Sequence, residues 1–285
     1  MKLEKDSRIL IVGLGLIGGS YAKALKKQGF RVTAIDTRPE AIAYALRENI
    51  VDEGYTAVKE EAVRSATLVV FALYPKVFTA WIADHQHLLA PGTLLTDVTG
   101  VKSCLVYEIQ AMLRSDVEYI AAHPMAGREV YGVENSDEKI FCGANYIVVP
   151  TEKNTEEAIA LCERLGKTLG FARISRLTPE EHDEMIGFVS QLTHVIAVTL
   201  MTCCDNTHLV DYTGDSFRDL TRIARINDGM WSELFLLNRP ALLRQMDLFL
   251  GEFARFRELL DRGDEEGMRE KMRLSSARRA LFDKK

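Results

Sequence analysis

Cysteine is scarce in this chain and organised for nothing. The five residues Cys104, Cys142, Cys162, Cys203 and Cys204 are odd in number and show neither a CxxC pair nor a Cys/His ligand spacing. A disulfide framework and a zinc site are thereby excluded as organising features; reduced thiols in a cytoplasm and no metal are expected. Excess positive charge is lacking too. Thirty-six Lys and Arg stand against 41 Asp and Glu, a net charge of −5, so the basic face that counterion-release binding to nucleic acid requires is missing. An anionic substrate must then be held by local arginines. No membrane partner is expected, because no apolar run of ~18 residues stands out, and the opening Met1-Lys2-Leu3-Glu4-Lys5-Asp6-Ser7-Arg8 has no signal-peptide pattern. Internal repeats and low-complexity segments are absent as well.

What is present is an ordinary globular composition, 47% apolar and 27% charged over 285 residues, enough to bury a sizeable core. Short apolar runs at Ile9–Val12, Val32–Ile35, Leu68–Leu73, Thr93–Thr96, Tyr119–Ala122, Tyr146–Val149 and Phe171–Ile174 alternate with helix-length segments. This alternation predicts a mostly parallel, doubly wound α/β sheet over residues 1–176. The stretch Ala126–Ala144 is polar and helix-poor, and reads as a loop or hairpin over the crevice. From Thr178 strand signals stop: Thr178-Pro179-Glu180-Glu181 supplies an N-cap, a proline at the first turn and a capping-box glutamate. The helix it opens, to about Cys204, is apolar around most of its circumference and is expected to be buried between neighbours. Leu242, Met246, Phe249, Phe253, Phe256 and Leu260 step by four and three, a heptad seam against another helix within the chain or across a dimer. Residues 177–285 therefore form an all-α domain.

Gly13-Leu14-Gly15-Leu16-Ile17-Gly18 follows the first strand and opens a helix, and Asp36 closes the second strand. Two glycines permit the tight turn and close backbone approach, the third permits helix-on-strand packing, and the helix N-terminus faces a pyrophosphate. Asp36 can accept hydrogen bonds from a ribose 2′-hydroxyl and would repel a 2′-phosphate, so NAD is favoured over NADP. Thr37 and Arg38 adjoin it, and Arg38 softens that repulsion. His123, in His123-Pro124-Met125-Ala126-Gly127, stands at a strand end facing the crevice, where imidazole can serve as a base; it can equally be a strand-end residue held by a backbone carbonyl. Thr99 and Lys102 end another strand on the same side, as ligand contacts or, for Thr99, as a helix N-cap. Arg218, Arg222 and Arg225 share one helix face, which by spacing alone is a solvated surface. Gln191 and His194 form one polar spot on an apolar helix and need a partner or a wet cleft. Trp231 caps that cleft or sits in core.

Taken together, Gly13–Ser20, Asp97–Lys102, His123–Gly127 and Phe217-Arg218-Asp219-Leu220-Thr221-Arg222 with Trp231 resemble the prephenate/arogenate dehydrogenases of tyrosine biosynthesis, in order and over nearly the whole chain. The heptad seam and the apolar helix from Thr178 lead to the expectation of a homodimer, and Asp36 to that of NAD; the resemblance implies an oxidative decarboxylation, by NAD(P), of prephenate to 4-hydroxyphenylpyruvate or of arogenate to tyrosine. His123 then bonds the ring 4-hydroxyl, Arg222 grips a substrate carboxylate, His194 lines the substrate side chain, Glu129 is a pocket acid, and Asp219 and Trp231 surround the arginine. Two positions depart from the pattern. Many members carry serine where this chain has Gly100, which leaves Thr99 to supply a hydroxyl, and histidine where it has Gln191. No ligand-sensing domain or fused chorismate mutase is expected, and tyrosine, if it inhibits, is expected to compete at the active site. The rival readings are a β-hydroxyacid dehydrogenase and, from another class, a non-enzymatic NAD-sensing regulator.

Overall fold

The computed structural model describes residue 4, residues 6–205 and residues 207–282. Among the described residues, nine strands fall into two sheets. The first is fully parallel in the order β3-β2-β1-β4-β5-β6, from β1 (Arg8–Val12), β2 (Arg31–Ile35), β3 (Glu53–Tyr55), β4 (Leu68–Phe71), β5 (Leu94–Asp97) and β6 (Glu118–Tyr119). Helices α1 (Leu16–Lys27), α2 (Pro39–Arg47), α3 (Glu60–Ser65), α4 (Pro75–His85) and α5 (Ser103–Met112) cross over between the strands. Alternation along β1 sends Ile9 and Ile11 into one buried cluster and Leu10 and Val12 into another, so both faces of the sheet are covered. The crossover β4 leaves β1 on the side opposite β2, which opens a crevice above the C-terminal ends of these strands.

The expectation of a single sheet needs correction. Tyr119–Ala122 is not one strand: β6 ends at Tyr119, and β7 (Ala121–Met125) begins a separate sheet with β8 (Asn145–Val149) and β9 (Arg173–Arg176). β7 and β8 run antiparallel, β8 and β9 parallel. The physical reason is local. Ile120 N–H still donates to Leu95 O at 3.0 Å, but Ala122 N–H donates to the Asp97 carboxylate at 3.2 Å, so a side chain ends the ladder and the chain peels away. Phe171–Ile174 is likewise displaced. α6 (Glu156–Leu169) ends on Gly170 at φ 94°, Phe171 bridges to Cys142, and β9 starts two residues later than its apolar pattern suggests. β3 carries no apolar alternation and was invisible to periodicity. In Ala126–Ala144 short 3₁₀ turns at Val133–Asn135 and Glu138–Phe141 bury Val133, Ser136 and Phe141 against α1, so this half of the segment is a buttress for the nucleotide domain.

The remainder is helical, as expected: α7 (Pro179–Ile186), α8 (Thr193–Thr202), α9 (Asp215–Thr221), α10 (Asp228–Leu237), α11 (Arg239–Asp261) and α12 (Glu265–Arg279). The Thr178 hydroxyl accepts from Glu181 N–H while the Glu181 carboxylate accepts from Thr178 N–H, the reciprocal cap anticipated for α7. A π-helical turn, Gly187–Leu192, joins α7 to α8 without interruption. The resulting helix, Pro179–Thr202, is long and apolar enough by length and composition to cross a membrane, contrary to the expectation that no such segment exists. It is also only partly buried by this chain. Met185, Phe188, Val189 and Met201 are exposed, and so are Phe249, Phe253, Phe256 and Leu260 of the α11 seam. The arginine face dissolves too, because α9 stops at Thr221 and Arg222–Ala224 is a 3₁₀ turn.

Candidate active site

The nucleotide loop has the shape its glycines require. Gly13 sits at φ 98°, and a Cβ there would lie 2.4 Å from Ala72 O; a Cβ on Gly18 would lie 1.9 Å from Gly13 O. Above Gly15 a Cβ would meet nothing within 4 Å, and no side chain caps α1. Backbone N–H groups at an open helix N-terminus fit a pyrophosphate. Leu14 is buried in the core, so only its backbone takes part; its N–H donates to Asp36 at 2.7 Å. Arg38 folds back onto the same carboxylate through its backbone N–H (2.9 Å) and Nε (3.1 Å), while Thr37 is exposed. Burial alone would raise the Asp36 carboxyl, but the hydrogen bonds from Arg38 and Leu14 outweigh it and hold the group below its usual range. Leu16 and Ile17 form the half-buried first turn of α1.

His123 is the third residue of β7, in the body of the small sheet and not at a strand end of the large one. Its Nδ1 lies 2.9 Å from His182 Nε2 on α7, and His182 Nδ1 lies 2.8 Å from Asp183 Oδ1. Asp183 also accepts from the backbone N–H groups of Lys102 and Ser103, both at 2.8 Å, at the start of α5. The opposite edge of the His123 ring is turned to Gly100: a Cβ there would stand 3.8 Å from Cε1 and 3.9 Å from Nε2 of His123, and 3.7 Å from Leu234 of α10. The Nε2 edge of the base candidate therefore faces Gly100 and Leu234, where the nucleotide and helical domains meet. Burial, then the neighbouring His182 and Lys102, hold the His123 imidazole well below its usual range.

Beneath this histidine lies a closed polar floor. Lys102 is fully buried and its Nζ donates to Asp97 at 2.6 Å and to the Thr99 hydroxyl at 3.0 Å; Tyr119 donates its hydroxyl to Asp97 at 3.0 Å. Thr99 in turn donates to Asp97 and is 5% exposed. Asp97 at the end of β5 gathers both Thr99 and Lys102, so their polar atoms are engaged within this buried cluster and not turned to an open cleft. Gln191 is a second correction. It is 1% exposed, its Oε1 accepts from Asn238 at 2.7 Å and its Nε2 donates to Leu234 O at 3.3 Å, so its amide ties α8's entrance to α10 and α11 instead of lining a cleft. His194 and Trp231 do meet, ring centroids 3.8 Å apart. Arg222, largely exposed, pairs with Glu129 from the loop after β7. Burial, opposed by Ser190 O and Glu129, lowers the His194 imidazole. Two further contacts pin α10 to the nucleotide domain: Lys76 N–H to Glu233 at 2.9 Å and Asn227 to the Tyr74 hydroxyl at 3.2 Å.

The sequence reading missed His182 and Asp183. Their signal was an adjacent His-Asp pair one turn into a well-capped helix, but its meaning depends on partners 59 and 81 residues away.

Comparison with known proteins places this arrangement. The family described as "Prephenate dehydrogenase, nucleotide-binding domain" matches residues 21–175, and "Prephenate dehydrogenase, dimerization domain" matches residues 178–274. The chain belongs to the prephenate dehydrogenase family. Within that family it is 30% identical to prephenate dehydrogenase of Bacillus subtilis over 279 residues, 94% of this chain and 74% of that protein. It is 29% identical to cyclohexadienyl dehydrogenase of Zymomonas mobilis, covering 96% and 95% of the two. The crystal structure of Aquifex aeolicus prephenate dehydrogenase in complex with hydroxyphenyl propionate and NAD+ superposes with a TM-score of 0.91 at 30% identity, over 99% of this chain and 100% of that one. As a member of a dehydrogenase family, the chain carries a nucleotide-binding domain; the match begins just after the Gly13–Gly18 loop and includes Asp36.

Proposed function

We propose that this protein is an NAD-dependent prephenate dehydrogenase that converts prephenate to 4-hydroxyphenylpyruvate with loss of carbon dioxide, acting as a cytoplasmic homodimer. The observation that carries this reading is the Nε2 edge of His123, turned away from His182 toward Gly100 and Leu234 of α10. Bound NAD supplies the hydride acceptor. Gly13, Gly15 and Gly18 shape the turn that would take its pyrophosphate, and Asp36 would take ribose hydroxyls.

His123 accepts the proton of the ring 4-hydroxyl at Nε2 as hydride leaves the same carbon. Its lowered basicity keeps that nitrogen unprotonated at neutral pH. The dienone that results loses its carboxylate as carbon dioxide, and aromatisation drives the step. Arg222, paired with Glu129, anchors an anionic group of the substrate; His194 and Trp231 form an aromatic wall beside it. Holding ring, proton acceptor and anion anchor in one geometry is the protein's contribution. Arogenate differs from prephenate by an ammonium in place of a ketone. The acid that would meet it, Glu129, is engaged with Arg222, and Gln191 is neutral and buried, which supports prephenate.

Dimerisation is supported by the apolar surfaces of Pro179–Thr202 and α11, both inside the segment that matches a dimerization domain. Steady-state kinetics with prephenate and arogenate, each with NAD and with NADP, test the catalytic reading. Higher kcat/KM with prephenate and NAD is expected; turnover of arogenate alone would reassign the substrate, and no turnover of either would leave a nucleotide-binding regulator.

A further inference from the structure

The assignment of His123 as base leaves open which ring nitrogen holds its proton, and the groups behind it decide this. Asp183 is held as a carboxylate: burial would raise it, but hydrogen bonds from His182 and from Ser103 N–H pull it below its usual range. A carboxylate can only accept, so the proton shared at 2.8 Å belongs to His182 Nδ1. His182 is fully buried and its imidazole is shifted toward the neutral form, chiefly by that burial. A neutral ring protonated at Nδ1 presents a lone pair at Nε2. The contact at 2.9 Å then requires His123 to donate from Nδ1, which leaves the lone pair of His123 on Nε2, the nitrogen facing Gly100.

We infer that His182, backed by Asp183, is a positioning residue that fixes the Nδ1–H tautomer of His123 and aims its Nε2 lone pair into the cleft. The dyad is itself anchored on three sides. Asp183 accepts from two backbone N–H groups of α5, its own carbonyl accepts from Asn238 at 2.9 Å, and the Thr178 capping box fixes the turn that carries both residues. Orientation is thus built into the junction between the two domains, not left to a mobile rotamer. When His123 takes up a proton at Nε2 it becomes a cation donating from Nδ1 to a neutral acceptor, and the carboxylate one ring further back is the nearest compensating charge on that path. A fixed tautomer matters because the wrong one would place a donor where the substrate hydroxyl must donate, as the loss of the orienting carboxylate does in Ser-His-Asp hydrolases.

This inference rests on the reading of His123 as the base, and the test separates the two. In ¹⁵N-histidine-labelled wild-type protein near pH 7.5, long-range ¹H–¹⁵N spectra, assigned with His123→Asn and His182→Gln, should show both rings protonated at Nδ1 and bare at Nε2. An Nε2–H tautomer at His123 would overturn the proposal whatever the enzyme's substrate. In kinetics, His182→Leu removes the acceptor and should lower kcat by about 10–100-fold, the range seen when a partner that orients a functional histidine is lost, with KM for NAD unchanged. His182→Gln keeps an acceptor oxygen near the place of Nε2 and should recover most of that loss. Wild-type kcat in the leucine variant would overturn the positioning role. Equal loss in both variants, with equal loss of melting temperature, would reduce His182 to a packing residue. If His123→Asn itself keeps full turnover while the tautomer is as expected, the base assignment fails and the relay geometry stands. Should His182→Leu not fold, the wild-type spectrum still decides.

Discussion

Asp36 concentrates most of what the nucleotide site can choose with. Its carboxylate is held ionised by Leu14 N–H and by Arg38, so a 2′-phosphate would meet a fixed negative charge with one arginine beside it. Asp36→Ala should weaken NAD and shift the kcat/KM ratio toward NADP; an unchanged ratio would remove Asp36 from cofactor choice. His123 makes a sharper demand. Because burial and His182 depress its pKa, the neutral base persists below the ordinary imidazole value of ~6.5, and activity should be lost only as pH falls through that lower value. His123→Asn should cost ~10²–10⁴-fold in kcat, as removal of a general base does, and should abolish this acid limb; a surviving limb with little loss of rate would point to another base. Arg222 calls for moderation. Truncating a buried charge partner costs roughly 2–5 kcal/mol, but this guanidinium is 63% exposed and shared with Glu129. Arg222→Ala should therefore lie at the low end, about 30-fold in KM for prephenate, with NAD affinity intact. Wild-type KM would return Arg222 to an ordinary surface arginine.

Several elements were legible because their signals are local. Glycine spacing fixes a turn, a capping box fixes a helix start, and short continuous apolar runs fix strands such as β1 and β4, which are buried on both faces. Thr178→Ala should cost about 1 kcal/mol, the usual worth of an N-cap side chain, read as a lower urea midpoint at constant slope; no change would mean that α7 is held by its packing alone. Other elements defeated local reading. The break at Ile120 comes from the Asp97 carboxylate intercepting Ala122 N–H, an interaction between residues 25 apart that no apolar run reveals. The π turn at Gly187–Leu192 sits where Gln191 turns inward to Asn238 and Leu234, so a residue that spacing had placed in a wet cleft became an inter-helix tie. Thr99 moved below the site for a similar reason, drawn down by Asp97 and Lys102.

Across the molecule, the nucleotide domain closes its own core on both faces of its sheet, whereas the helical domain leaves large apolar side chains uncovered along Pro179–Thr202 and α11. Exposed apolar area of this kind marks an interaction surface, and light scattering at micromolar concentration should give twice the mass of one chain. A monomer would mean that these helices are covered by something else. The residue order was sufficient for the two-part architecture and the dinucleotide loop with its acid, because periodicity, caps and glycine turns act within a few residues of where they are written; His123 and Arg222 became favoured candidates only through the family resemblance. It was not sufficient for the second sheet, the sealed floor of Asp97, Lys102, Thr99 and Tyr119, or the alignment of His182 and Asp183 behind His123. Those depend on which buried polar groups satisfy one another, among near neighbours as in Thr99–Asp97 and across as many as 81 residues as in Lys102–Asp183. Burial makes an unpaired polar group costly, so folding selects the partners, but nothing in their spacing names them beforehand.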